Sequence, residues 1–134
     1  MDFPPLDQGA VETSENLSRF LLFSRWFSKV NDRVKADAFV PHPYIELSVS
    51  RTDSLDEDQK WSLGKPVAEA RQKTLYGRAD IEAKAIRNQK LDVVPAEPPI
   101  RHANIIGWPD STKAAQKAIA LELAASAKLR LRTN

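Results

Sequence analysis

Along the chain the spacing of apolar residues changes several times, and each change marks an element. Ile45, Leu47 and Val49 alternate with Glu46, Ser48 and Ser50. That period of two predicts a half-buried strand ending near Arg51. Ala79, Ile81, Ala83 and Ala85 alternate with Arg78, Asp80, Glu82 and Lys84, which predicts a second strand. Asn88-Gln89 would be its turn, with Leu91, Val93 and Val94 pairing back, although the alanine, glutamate and lysine there also favour helix. His102 to Ile106 reads as a short, mostly apolar strand. The segment from Leu17 to Val40 fits two templates. Leu17, Phe20, Leu21, Phe23, Phe27, Val30 and Val34 form a helical stripe, whereas the aromatics of 19–27, with Asn31-Asp32 as a turn, suit paired strands. The strand reading is preferred because residues 34–40 look extended.

Helix signals frame the rest. Ser54 followed by Glu57 is a capping box, predicting a helix from Leu55 to about Leu63 with Trp61 facing inward and Gly64 and Pro66 stopping it. Pro109-Asp110-Ser111 caps a long glycine- and proline-free helix from Thr112 to Arg132, about 30 Å long. Pro41-His42-Pro43 and Pro95 to Pro99 are extended connectors. Residues 1–16 read as a flexible arm whose Phe3 and Leu6 dock on a partner or on the body. Residues 17–134 form one domain. The predicted class is α+β: a mostly antiparallel sheet packed by the long C-terminal helix and one shorter helix.

Length and composition narrow this picture. The chain has 134 residues and no cysteine, which suits one domain without disulfides or thiolate metal sites. Its apolar run Phe20-Leu21-Leu22-Phe23 is too short to span a bilayer, so a cytoplasmic, non-membrane protein is expected. Net charge is only +2, but residues 84–134 carry nine Lys/Arg against four Asp/Glu. Lys128, Arg130 and Arg132, at the predicted helix end, suit either the helix dipole or a phosphate backbone.

Candidate chemistry is sparse. Glu82 and Lys84 after Asp80 match the Glu-x-Lys spacing of metal-dependent nucleases, in which alternate strand residues project together; the same spacing arises on any polar strand face. His102 is a weak candidate general base, and Arg51 and Arg78 are weak candidates for an anion beside it. His42, between prolines, reads as a surface loop residue. Two histidines do not make a classical zinc cage, and no metal or cofactor is expected. Ser48 and Ser50 next to Arg51 suit an anion site or simply an outward strand face. Trp26 and Trp61 read as core anchors, and Trp108 as a partly exposed contact.

Four stretches carry a resemblance: Ala38 to Pro41, Leu47-Ser48-Val49-Ser50-Arg51, Leu75-Tyr76-Gly77-Arg78-Ala79-Asp80-Ile81, and Arg101-His102-Ala103-Asn104-Ile105-Ile106-Gly107-Trp108-Pro109. Their order and spacing, across residues 17–130, resemble a group of small bacterial proteins of uncharacterised function. The resemblance implies a bacterial, cytoplasmic, single-domain protein, and includes Arg19, Arg51, Arg78 and His102. The leading expectation is a non-enzymatic interaction or adaptor module that meets a protein partner through Arg101, Trp108 and the N-terminal arm. The alternatives are nucleic-acid binding through Lys128, Arg130 and Arg132, or a small enzyme for a phosphate-containing or nucleotide substrate. The enzyme requires Arg51, Arg78 and His102 to converge on one cleft.

Overall fold

A computed structural model describes residues 9–41, 45–109 and 112–133. In chain order the elements are β1 (Asn16–Leu21), β2 (Phe27–Ser28), β3 (Arg33–Val34), β4 (Leu47–Arg51), α1 (Glu57–Ala70), β5 (Gly77–Glu82), α2 (Ala83–Asn88), β6 (Asp92–Pro95), β7 (His102–Ile106), α3 (Lys113–Ser126) and β8 (Lys128–Leu131), with 3-10 turns at Ser24–Trp26 and Ala36–Phe39. Six strands form one antiparallel sheet in the order β6-β7-β4-β1-β5-β8, and β2 and β3 form a small hairpin. The fold is a single α+β unit.

The two faces of the sheet differ, and the alternation in the sequence is the reason. One face presents Leu17, Leu21, Val49, Ile81, Ala103 and Ile105, all buried. Ile86 of α2, Leu123 of α3 and Phe39 of the second 3-10 turn complete this core, with α3 lying against that turn and against β5. The other face is polar. Register places Ser18 opposite Ser50 and Asp80, and Ser50 opposite His102, so these side chains share it. Helix α1 crosses this polar face, its Gly64 pressed on the Phe20 ring.

The strand ending at Arg51, the strand from His102 and the strand reading of the first segment all match the fold. Several expectations change. The helix cap is Asp56: its Oδ1 accepts from the Gln59 backbone N–H at 2.8 Å, while Gln59 Oε1 accepts from Asp56 N–H at 3.0 Å. The helix then runs through Gly64 and Pro66 to Ala70. Gly64 serves close packing here, since a Cβ would lie 2.5 Å from Phe20 Cε1, and Pro66 costs the helix one N–H donor without ending it.

The strand at 77–82 gives way to α2, whose first amides, Ala83 and Lys84, donate to the carbonyls of Glu15 and Thr13. β6 pairs with β7, so no hairpin forms back onto β5. The C-terminal helix is 14 residues, not the long one expected. Lys128–Leu131 instead pairs with β5, Gly77 facing Leu131. Alternating Lys-Leu-Arg-Leu fits a strand edge, and β5 offers unpaired backbone groups that a helix could not satisfy.

The arm divides as well. Among its described residues, Val11 is buried, and Arg87 donates to the Val11 carbonyl at 2.6 Å and to Thr13 Oγ1 at 3.1 Å. Glu15 is bound to Arg51 through Nε–Oε2 at 2.6 Å and Nη2–Oε1 at 2.8 Å. Residues 9–15 are therefore docked on the body, while Phe3 and Leu6 lie outside the described residues.

Candidate functional site

A cavity of about 520 Å³ opens between α1 and the polar sheet face. Two features of the sequence create it. Serines at 18, 48 and 50 are small, so the sheet floor under the helix is low. In addition, the β1–β4 ladder holds only at Leu17–Arg51 and Ser18–Ser50. Beyond it, Arg19 takes over the bonding, with Nη1 donating to the Ser48 carbonyl at 3.0 Å and Nε to the Ala38 carbonyl at 2.9 Å. The walls are apolar: Phe20 and Leu22 from the β1 side, Leu63 and Val67 from α1, and Pro99 and Ile100 from the β6–β7 loop.

Charge in the cavity has one sign. Arg19 and Arg71 both line it, and no carboxylate among the described residues does. Neither arginine forms an ion pair among the described residues. The Arg19 guanidinium lies 4.8 Å from the Trp26 ring centroid, and Arg71 lies 5.8 Å from that of Phe23. Burial and then the repulsion of Arg71 hold the pKa of Arg19 down at about 10. It remains a cation at neutral pH, under electrostatic pressure.

On the floor, His102 is fixed from both sides. Its Nδ1 lies 2.8 Å from the Ala96 carbonyl oxygen and its Nε2 lies 2.5 Å from Ser48 Oγ. A carbonyl can only accept, so Nδ1 carries the proton. In the neutral ring Nε2 is then the acceptor and the Ser48 hydroxyl the donor. Ser48 is exposed and His102 half-buried, so the pair is open to the cavity. In the chain Ser48 and His102 stand 54 positions apart, and no local pattern links them. Two antiparallel strands in register, β4 and β7, suffice to bring the pair together.

The remaining candidates are placed elsewhere. Arg51 follows Ser50 on β4 and so faces the opposite side of the sheet, where Glu15 holds it. Arg78 shares the polar face with His102 but is three strands away. It is 1% exposed. Glu57 meets it at 2.7 Å and Asp80 at 3.0 Å, and the Trp61 ring lies 4.6 Å away. Burial opposes its charge, yet the two carboxylates outweigh that and raise its pKa. Ser18 donates to Asp80 at 2.6 Å, so Thr52, 2.7 Å from Ser18, donates to the serine. Arg51, Arg78 and His102 therefore do not converge, which removes the three-residue anion site expected from the sequence.

Arg101 and Trp108 are also corrected. They are 1% and 5% exposed, too buried to act as surface anchors for a partner. Arg101 Nη1 donates to the Arg51 carbonyl at 2.9 Å, and Trp108 Nε1 donates to the Ile105 carbonyl at 3.1 Å. Burial lowers the pKa of Arg101 first and Arg51 second, against the pull of nearby carboxylates.

Lys128, Arg130 and Arg132 are exposed, but on and after strand β8 rather than on a helix. Lys128 and Arg130 line a second cleft of about 500 Å³ that also holds Asp80 and Glu82. Its lining sets Asp80 and Glu82 against Lys60, Lys84, Lys128 and Arg130, so the two carboxylates offset part of the positive charge and the cleft mixes both signs. The Glu-x-Lys pattern is split, because β5 ends at Glu82 and Lys84 belongs to α2. Among the described residues, no group of three or more His, Asp or Glu is placed to hold a metal ion, and no helix is long and apolar enough to cross a membrane. His42 lies outside the described residues. Comparison with protein families, with curated proteins and with solved structures finds no match.

Proposed function

We propose that the protein binds a small amphipathic anion in the cavity between α1 and the sheet. The observation that carries this reading is a lining with two arginines and, among the described residues, no carboxylate. A partly buried cation pressed by a second cation costs free energy. A bound anion offsets that cost and adds charge-assisted hydrogen bonds. The apolar walls supply the other half of the recognition, at roughly 25 cal/mol per Å² of ligand surface taken from water. Convergent polar groups in a mostly apolar hollow are the usual build of a small-molecule site.

The test uses the intact chain with octanoate and, as its uncharged counterpart, 1-octanol. Octanoate should raise Tm by several degrees at saturating concentration, since a ligand at about 100 times its Kd adds about 2.7 kcal/mol. Octanol should do markedly less, and salt should weaken only the octanoate effect. Val67→Trp, which fills the cavity from α1, should abolish the shift. Equal shifts with both compounds, or a shift that survives Val67→Trp, would overturn the reading.

A further inference from the structure

From the Ser48–His102 pair we infer that the cavity is a site of ester hydrolysis, with Ser48 as the nucleophile and His102 as its general base. The inference rests on the reading of the cavity as a ligand site and names its substrate class: a small ester that carries an anionic group and an apolar portion.

Three observations meet at one place. Ser48 Oγ lies 2.5 Å from His102 Nε2, and the Ala96 carbonyl, 2.8 Å from Nδ1, fixes the tautomer that makes Nε2 a base. This is nucleophile, base and orienting group in sequence, with a backbone carbonyl where a carboxylate is more familiar. Second, the hydroxyl is exposed rather than buried, and it lines a cavity of about 520 Å³ with room for a substrate. Third, Arg19 Nη1 donates to the carbonyl of Ser48 itself at 3.0 Å. Positive charge therefore stands one peptide from the nucleophile, in a partly desolvated setting that favours developing negative charge.

The chemistry closes on these groups and water. Ser48 Oγ forms a bond to the acyl carbon while its proton passes to His102 Nε2. The bond from that carbon to the alcohol oxygen breaks, and the leaving alcohol takes the proton from Nε2. Water then attacks the acyl-serine, giving its proton to Nε2; the acid leaves as Ser48 Oγ recovers the proton. No oxidant, metal or co-reactant enters. Ser50 sits opposite His102 in the ladder, yet the bond to Nε2 is made by Ser48, which selects between the two hydroxyls.

A fluorophosphonate probe, which phosphonylates activated serines, tests this in the intact chain. Intact mass should rise by one adduct, and peptide fragmentation should place it on Ser48. Ser48→Ala and His102→Gln should each slow labelling by about 100-fold or more. The same samples are melted with octanoate, so that folding and ligand binding are read separately from reactivity. Ser48→Ala should lose the adduct, while the wild-type octanoate shift reports the cavity independently of the hydroxyl's reactivity. Absence of an adduct on wild type, an adduct on Ser50, or labelling that persists in His102→Gln would overturn the hydrolytic inference while an intact octanoate shift left the binding site standing. Loss of the octanoate shift in wild type would instead sink the binding reading on which it rests.

Discussion

Arg71 stands at the C-terminal end of α1, exposed, with its charge directed at a neighbour of the same sign. Because it lowers the pKa of Arg19, Arg71→Gln should relieve the ligand-free protein slightly while weakening octanoate binding by about tenfold, the loss of one charge-assisted contact. A melting curve and a titration check both halves; a variant that is less stable and binds unchanged would contradict them. Glu15 tells the opposite story. It gives both carboxylate oxygens to Arg51, and both residues are buried. Glu15→Ala strips that carboxylate from a desolvated guanidinium and should cost about 3 kcal/mol in chemical denaturation. A loss below about 1 kcal/mol would mean that water reaches Arg51 freely.

At the scale of elements, two glycines separate helix propensity from packing. Gly64→Ala gains about 1 kcal/mol of helix propensity, but the new Cβ would stand 2.5 Å from Phe20 Cε1. Overpacking costs about 1–3 kcal/mol. The net effect is therefore a modest loss of stability, together with a weaker octanoate shift as the Phe20 ring is driven into the cavity it lines. At Gly77 the obstacle is backbone: a Cβ would lie 2.5 Å from the Arg130 carbonyl oxygen. A carbonyl in a ladder cannot swing aside as a ring does, so Gly77→Ala should destabilise more than Gly64→Ala and should raise hydrogen exchange first in β8. Equal losses would show that the edge strand yields as easily as the ring.

For the whole molecule, acid is the informative variable. The hydrogen bond from Arg78 lowers the pKa of Glu57, and the backbone N–H of Val93, then Arg87, lowers that of Asp92. A carboxylate depressed in the folded state contributes stability that is fully present above its unfolded pKa, about 4, and is lost as pH falls through the folded value. Tm should therefore be flat with respect to these groups from about pH 5 to 7 and decline below about pH 4. Glu57→Gln should soften that decline, and because Glu57 is exposed the effect should be modest and fade with salt. Unchanged acid sensitivity in Glu57→Gln would place the acid response elsewhere.

Alternation alone determined β4, because a strand with one buried face writes its period directly into the chain, whereas β7 was legible as a short, mostly apolar run. Alternation also determined that Ser48 and Ser50 would stand away from the apolar side; the register opposite Ser50 is what puts His102 on that face. The same rule required Arg51 to face away from Ser50, so its separation from His102 was legible once the register was known. Other features were decided only by tertiary structure. Helix or strand for 128–131 depended on whether β5 needed a partner; the alternating Lys-Leu-Arg-Leu could serve either. Gly64 and Pro66 read as a stop because intrinsic propensity says so, and the helix continues because its far turn packs over Phe20 and the cavity. Arg101 and Trp108 look like surface anchors in a sequence and are interior residues in the fold, where Arg101 Nη1 and Trp108 Nε1 each donate to a backbone carbonyl that no local pattern announces. The Ser48–His102 pair belongs to this second kind. Fifty-four positions separate the two residues, and only strand pairing brings a hydroxyl and an imidazole within a hydrogen bond, since local sequence encodes which way a side chain points but not what it meets.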